Sequence, residues 1–93
     1  MRSKVITTSG QITTIFPTEE LGKYKHKDFV IEQLGIDKTT IAFQCWSADL
    51  ITQLDTLQPG QMIDVYFYIS SRQFNGKWYT DCKCIGINDG LQK

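Results

Sequence analysis

Asn75-Gly76 divides two runs of alternating side chains, and that arrangement leaves the second half of the chain few ways to fold. Both central positions of a two-residue type I′ turn need positive φ, which Asn and Gly tolerate best, so the pair predicts a tight hairpin. With these as the turn residues, Phe74 lies opposite Lys77, Arg72 opposite Tyr79, Ile69 opposite Cys82, Tyr68 opposite Lys83 and Phe67 opposite Cys84. Upstream, from Met62 to Ser70, Ile63, Val65, Phe67 and Ile69 point inward while Asp64, Tyr66, Tyr68 and Ser70 point outward. The register sends Cys82 and Cys84 inward as well, because a slip of one residue would reverse every side chain. Ile85 and Ile87 then fall on the outward face unless a bulge intervenes. Either Gly86 marks such a bulge or the two isoleucines feed a subunit interface.

The first half is also rich in strand signals. Residues 4 to 16 alternate loosely and predict a long strand bent at Ser9-Gly10, with Pro17 ending it. "TEELG" at 18 to 22 reads as a polar loop. "YKHKDFVIEQL" at 24 to 34 reads as a second strand with Phe29 and Ile31 on one face, and "GIDK" at 35 to 38 as a turn. Residues 39 to 46 form a third strand, with Ile41, Phe43 and Cys45 on one face and Ala42, Gln44 and Trp46 on the other. After it the period changes. Ser47 is a helix N-cap, Asp49 suits the first turn, and Leu50, Ile51, Leu54 and Leu57 carry helical spacing up to Pro59-Gly60.

Strand, loop, strand, strand, helix, strand, hairpin, strand is the order of a five-stranded OB-fold. This is an all-β Greek-key barrel with one α-helix between the third and fourth strands. Its ligand face lies over the second and third strands, framed by the loop after the first strand and the last hairpin. Ninety-three residues suffice for one such domain, with a core from about 4 to 87 and a short flexible C-terminal tail at 88 to 93. A hydrophobic share of 41% and a charged share of 22% are those of an ordinary globular chain. No apolar run approaches the roughly 18 residues of a spanning helix, and "MRSKVITTSG" lacks the apolar stretch of a secretory signal, so a cytoplasmic protein without a membrane partner is expected. The three cysteines are an odd number without metal-knuckle spacing, and the single histidine, His26, is far from them. No metal or other cofactor is expected. With no carboxylate paired to a histidine, no phosphate loop and no nucleophile with a base, neither an enzyme nor a small-molecule substrate is expected.

Formal net charge is zero, but the charges are not spread evenly. Lys23, Lys25, Lys27, Arg72, Lys77 and Lys83 crowd into the two segments that would frame the OB-fold ligand face, whereas residues 37 to 64 hold Asp37, Asp49, Asp55 and Asp64 against Lys38. For a charged ligand the local field outweighs the total.

"KDFVIE" at 27 to 32, "IAFQCW" at 41 to 46, "LQPGQMIDVYFYI" at 57 to 69 and "SRQFNGKWYTD" at 71 to 81 resemble a family of small uncharacterised bacterial and phage proteins similar to single-stranded-DNA-binding proteins. The resemblance runs over about residues 10 to 87. It implies an OB-fold and single-strand binding with little sequence preference, protecting exposed strands in replication or recombination in a bacterial cell or phage-infected host. Bacterial single-stranded-DNA-binding proteins usually carry a long disordered tail with an acidic tip. This chain stops at "INDGLQK", so recruitment of partners through such a tail is not expected.

The expected interface follows. Lysines 23, 25 and 27 and those of the hairpin would track phosphates, and Tyr24, Trp46, Phe74, Trp78 and Tyr79 would offer rings to bases, with Arg72 and Lys83 beside the tyrosines across the ladder. Each has a structural alternative. Lysines at alternate positions also guard a strand edge, Arg72 on Tyr79 also stiffens a hairpin, Trp46 could lie under the helix, Trp78 could cap the core, and Phe74 could pack on a neighbouring loop or subunit. Single-stranded DNA is the expected partner, with RNA open, in a homo-oligomer. The alternative is an OB-fold assembly module whose aromatics bury into another protein.

Overall fold

The computed structural model describes residues 4–35 and 38–90, so the turn expected at 35 to 38 and the end of the tail lie partly outside the described residues. Six strands and one helix follow in the order β1 (Ile6–Ile15), β2 (Glu19–Leu21), β3 (Tyr24–Gln33), β4 (Thr40–Cys45), α1 (Ala48–Leu54), β5 (Met62–Phe74) and β6 (Lys77–Asn88). Neighbours in the sheet run β1-β5-β6-β4-β3-β2, and a further β1–β3 pairing closes the ring. Among the described residues only the β4–β6 pairing is parallel, through Phe43 with Cys82 and Gln44 with Lys83. The result is the five-stranded OB-fold barrel, with β2 added outside it.

β1 serves two neighbours. Ile6 to Gln11 pair with β5, while Gly10 to Ile15 pair with β3. The expected bend at Ser9-Gly10 is this change of partner, and the bulge itself falls between Ile12 and Thr14. Gly10 is required for a different reason than a bulge: a Cβ there would overlap the Glu32 carbonyl oxygen of β3. The loop before β5 docks on the same strand, through Gly60 N–H to the Ile12 carbonyl at 2.7 Å and Ile12 N–H to the Gln61 carbonyl at 2.8 Å.

Inside the barrel, Phe29, Phe43 and Phe67 form a chain of rings with centroids 5.2 and 4.9 Å apart. Ile12, Ile31, Cys45, Val65, Cys84 and Ile87 fill the space around them. α1 starts as expected, with the Asp49 N–H donating to the Ser47 hydroxyl at 3.2 Å, and lays Leu50 and Leu54 on the core. It is shorter than the spacing implied. The helix ends at Leu54, and Leu57 reaches the core from a tighter turn in which its N–H bonds the Leu54 carbonyl at 3.1 Å.

Two expectations need correction, and one open alternative is decided. "TEELG" is not all loop, because Glu19–Leu21 pair with Tyr24 to His26 around a two-residue turn whose first position, Gly22, has φ +61°. That is the type II′ preference. Of the two alternatives for Ile85 and Ile87, the bulge beside Gly86 is the one that holds. β6 carries a bulge against Tyr66 and Phe67, so that Tyr66 pairs with Gly86 and Val65 with Ile87. Ile87 is therefore 8% exposed and Ile85 49%. Finally, Ile69 has the inward parity but is half exposed, because β4 reaches along β6 only to Cys82 and the barrel wall ends there. Beyond it β5 and β6 continue as a two-stranded arm ending at Asn75-Gly76, both with positive φ. Its register is the expected one from Phe67 with Cys84 to Phe74 with Lys77.

Candidate nucleic-acid interface

Trp46 follows the last residue of β4 and immediately precedes Ser47, the helix cap. Its indole N–H donates to Gln44 Oε1 at 3.2 Å. One ring face stacks on His26 at a centroid distance of 4.6 Å and an interplanar angle of 29°. His26 is held in turn. Its Nε2 lies 3.2 Å from a Glu19 carboxylate oxygen of β2 and its Nδ1 3.0 Å from Asp28 on its own strand.

What remains of Trp46, 40% of the residue, is exposed. It is the shared wall of two clefts. One, of about 380 Å³, lies between the β2–β3 turn and α1 and is lined by Lys23, Tyr24, Lys25, Ala48, Ile51 and Thr52. The other, of about 280 Å³, is lined by Ser47, Leu50, Tyr68, Lys83, Cys84 and Ile85. Each cleft therefore carries a tyrosine and at least one lysine along with the indole.

The lysines differ in what they already hold. Lys27 is not part of this surface: its ammonium bonds Asp55, the helix C-cap, at 3.2 Å, and its side chain is 11% exposed. Lys25 makes only a loose 3.9 Å contact with Glu20, both side chains being exposed. Lys23, Lys77 and Lys83 make no ion pair with any of the described residues.

From the second cleft the outward face of β5 and β6 leads up the arm. The pairs along it are Tyr68 with Lys83, Ser70 with Asp81, Arg72 with Tyr79 and Phe74 with Lys77. At about 3.4 Å per residue, Lys83 and Lys77 lie roughly 20 Å apart along the strand. Arg72 sits 5.7 Å over the Tyr79 ring and 3.8 Å from Asp81. Phe74 and Tyr79 are exposed. Trp78 is on the other face of the arm, beside Gln73 and near the Ser71–Thr80 hydroxyl pair, and is 67% exposed, so it does not cap the core. That second face, with Ile69, Ser71, Gln73, Trp78 and Thr80, carries no charged side chain.

Of the residues singled out in the sequence, Lys23, Tyr24, Lys25, Trp46 and Lys83 converge on the two clefts. Arg72, Phe74, Lys77 and Tyr79 continue along the arm, while Lys27 and Trp78 stand apart. Sequence reasoning missed His26 as the support of Trp46 and Tyr68 as a cleft wall. For Tyr68 the signal was present in its pairing with Lys83. For His26 it was faint: it lies two positions before Asp28 on one strand face, but Glu19 belonged to an unrecognised strand. Cys45 and Cys84 meet inside the barrel. The hydrogen bond with Cys84, together with burial, pushes the Cys45 thiol far up, and Cys84 hydrogen-bonds the Gly86 carbonyl at 3.5 Å.

No curated protein matches the chain. Solved structures with the same fold do. The mitochondrial single-stranded DNA binding protein Rim1 of S. cerevisiae superposes with a TM-score of 0.82 at 12% identity, covering 94% of this chain and 95% of that one. The small single-stranded DNA-binding protein of Streptomyces coelicolor gives 0.73 at 14% identity, with coverages of 98% and 97%. A Plasmodium falciparum SSB in complex with ssDNA gives 0.68 at 15% identity, with 89% of each chain covered. At such identities the likeness establishes the OB-fold and nothing finer. Residues 7–88 match the model of a family described as a domain of unknown function, DUF3127, and the chain belongs to that family.

Proposed function

We propose that this protein binds single-stranded nucleic acid, DNA in the first place, with little sequence preference, and that it does so without catalysis. The observation that carries the reading is the placement of Trp46 between two clefts, each with a tyrosine and lysine on its wall. A strand crossing Trp46 would stack successive bases on Tyr24, Trp46 and Tyr68, while Lys23, Lys25 and Lys83 meet its phosphates. Stacking tolerates any base because every base has a π-face, which is why no sequence preference is built in. The arm extends the track through Arg72, Tyr79, Phe74 and Lys77. Protection of exposed strands during replication or recombination in a bacterial or phage-infected cytoplasm is the role this chemistry suits.

The charge-free face of the arm supports assembly of the protein with itself. Ile69 and Trp78 are exposed there among neutral neighbours, so two copies can meet face to face without like-charge repulsion. Ile85 on the bulge is a second exposed contact residue; Ile87 is not. Anisotropy of a labelled, unstructured oligonucleotide tests the binding. Wild type should bind at low salt, and Trp46→Ala and Lys83→Glu should weaken it severalfold without loss of fold. Binding unaffected by both variants would move the ligand elsewhere, and no binding would favour an assembly module of the same fold.

A further inference from the structure

We infer that His26 is a positioning residue for Trp46: held between Glu19 and Asp28, its ring backs the indole and sets the opposite indole face for a base. This deepens the nucleic-acid reading and rests on it. Three observations converge. The rings are stacked at 4.6 Å. Each imidazole nitrogen faces a carboxylate oxygen, at 3.2 and 3.0 Å, so rotating the ring would break both contacts at once. The side chain is 11% exposed while Trp46 keeps 40%.

The two carboxylates come from different strands, Glu19 from β2 and Asp28 from β3, and Trp46 follows β4. His26 thus ties the outer hairpin to the residue shared by both clefts. Without it, the indole would lose its stacked ring and keep the hydrogen bond to Gln44, an exposed contact between two side chains. A tryptophan free to change rotamer must be ordered when a base arrives, and ordering one such side chain weakens binding by roughly two- to tenfold. His26 provides that order beforehand. The short β2 strand, otherwise without a part in the barrel, gains one by supplying Glu19.

The test uses the full chain with Trp78→Phe, which leaves Trp46 as the single tryptophan. Near-ultraviolet circular dichroism of the free protein reports how well the indole is fixed, and titration with a short oligothymidylate reports affinity. His26→Ala should flatten the indole band and weaken binding about two- to tenfold, with the far-ultraviolet spectrum unchanged. His26→Phe, which restores a ring without the carboxylate contacts, should recover part of both. A wild-type band and affinity in His26→Ala, or His26→Phe no better than His26→Ala in either readout, would overturn the inference. If His26→Ala does not fold, Glu19→Ala replaces it, since it releases one nitrogen from an exposed partner; an unchanged indole band there overturns the inference and a weakened one supports it. Absence of oligonucleotide binding by the parent protein would bring down the nucleic-acid reading and the ligand half of this inference, while the indole band still decides whether His26 fixes Trp46.

Discussion

Two lysines on one strand, Lys25 and Lys27, have opposite fates. Lys27 reaches the helix C-cap at Asp55, where its charge also meets the negative end of the helix dipole. Lys25 stays in water beside Glu20. Alternation along the strand placed both on the same face but could not reveal that the end of α1 would cover one of them. Lys27→Ala should therefore cost stability, about 0.5–1 kcal/mol because Asp55 is still well exposed, and leave the salt dependence of oligonucleotide binding unchanged. Chemical denaturation and a salt titration together check this. Tyr68→Ala should do the reverse, weakening binding by about 1–3 kcal/mol, the usual worth of one stacked base, with little change in the denaturation midpoint. The cysteines give a third residue-level outcome. Cys45 and Cys84 are buried inside the barrel, whereas Cys82 is only half-buried and its thiol is raised chiefly by that burial, so iodoacetamide at neutral pH should alkylate Cys82 slowly while Cys45 and Cys84, out of the reagent's reach, resist until the barrel unfolds, as peptide mass spectrometry would show. Early labelling of Cys45 would contradict the packing.

At the level of elements, what the sequence declared was what obeys a period or a turn code. The β5–β6 register was legible because Asn75-Gly76 fixes the turn and the alternation on each side agrees with it. β4 and the start of α1 were legible for similar reasons, down to the Ser47 cap. What was hidden depends on partners distant in sequence. β2 is three exposed residues with no apolar alternation, and it exists because β3 offers an edge. The end of α1 was overrun because Leu57 keeps helical spacing while reaching the core from a turn. The position of the bulge decides between Ile85 and Ile87, and only Val65 and Tyr66 across the ladder determine it. Ile87→Asp should unfold the barrel by leaving a charge among Val65 and its neighbours, whereas Ile85→Asp should leave the melting temperature nearly unchanged. Leu54→Ala should cost about 2–5 kcal/mol, since it empties a fully buried site under the helix.

For the whole molecule, a neutral chain can still present a cationic track, because acids and bases are sorted by topology. Asp55 and Asp64 are spent on Lys27 and Ser9, within the fold. Lys23, Lys77 and Lys83 make no ion pair among the described residues, and their clustering was visible in the sequence before the clefts were. Closure of the barrel is what joins residues near 24, 46, 68 and 83 into one surface, and no local pattern contains that information. With about three phosphates met by Lys23, Lys25 and Lys83 of the proposed track, log affinity for a single strand should fall with log salt at a slope of about −2. The most direct measurement is a titration of the Trp78→Phe protein with an unstructured single-stranded oligonucleotide, following Trp46 fluorescence at low and moderate salt. Quenching whose affinity falls with a slope near −2, and is severalfold weaker in Lys83→Glu, is the predicted result; no quenching at low salt and micromolar protein, or quenching indifferent to salt, would contradict the assignment of this surface to nucleic acid.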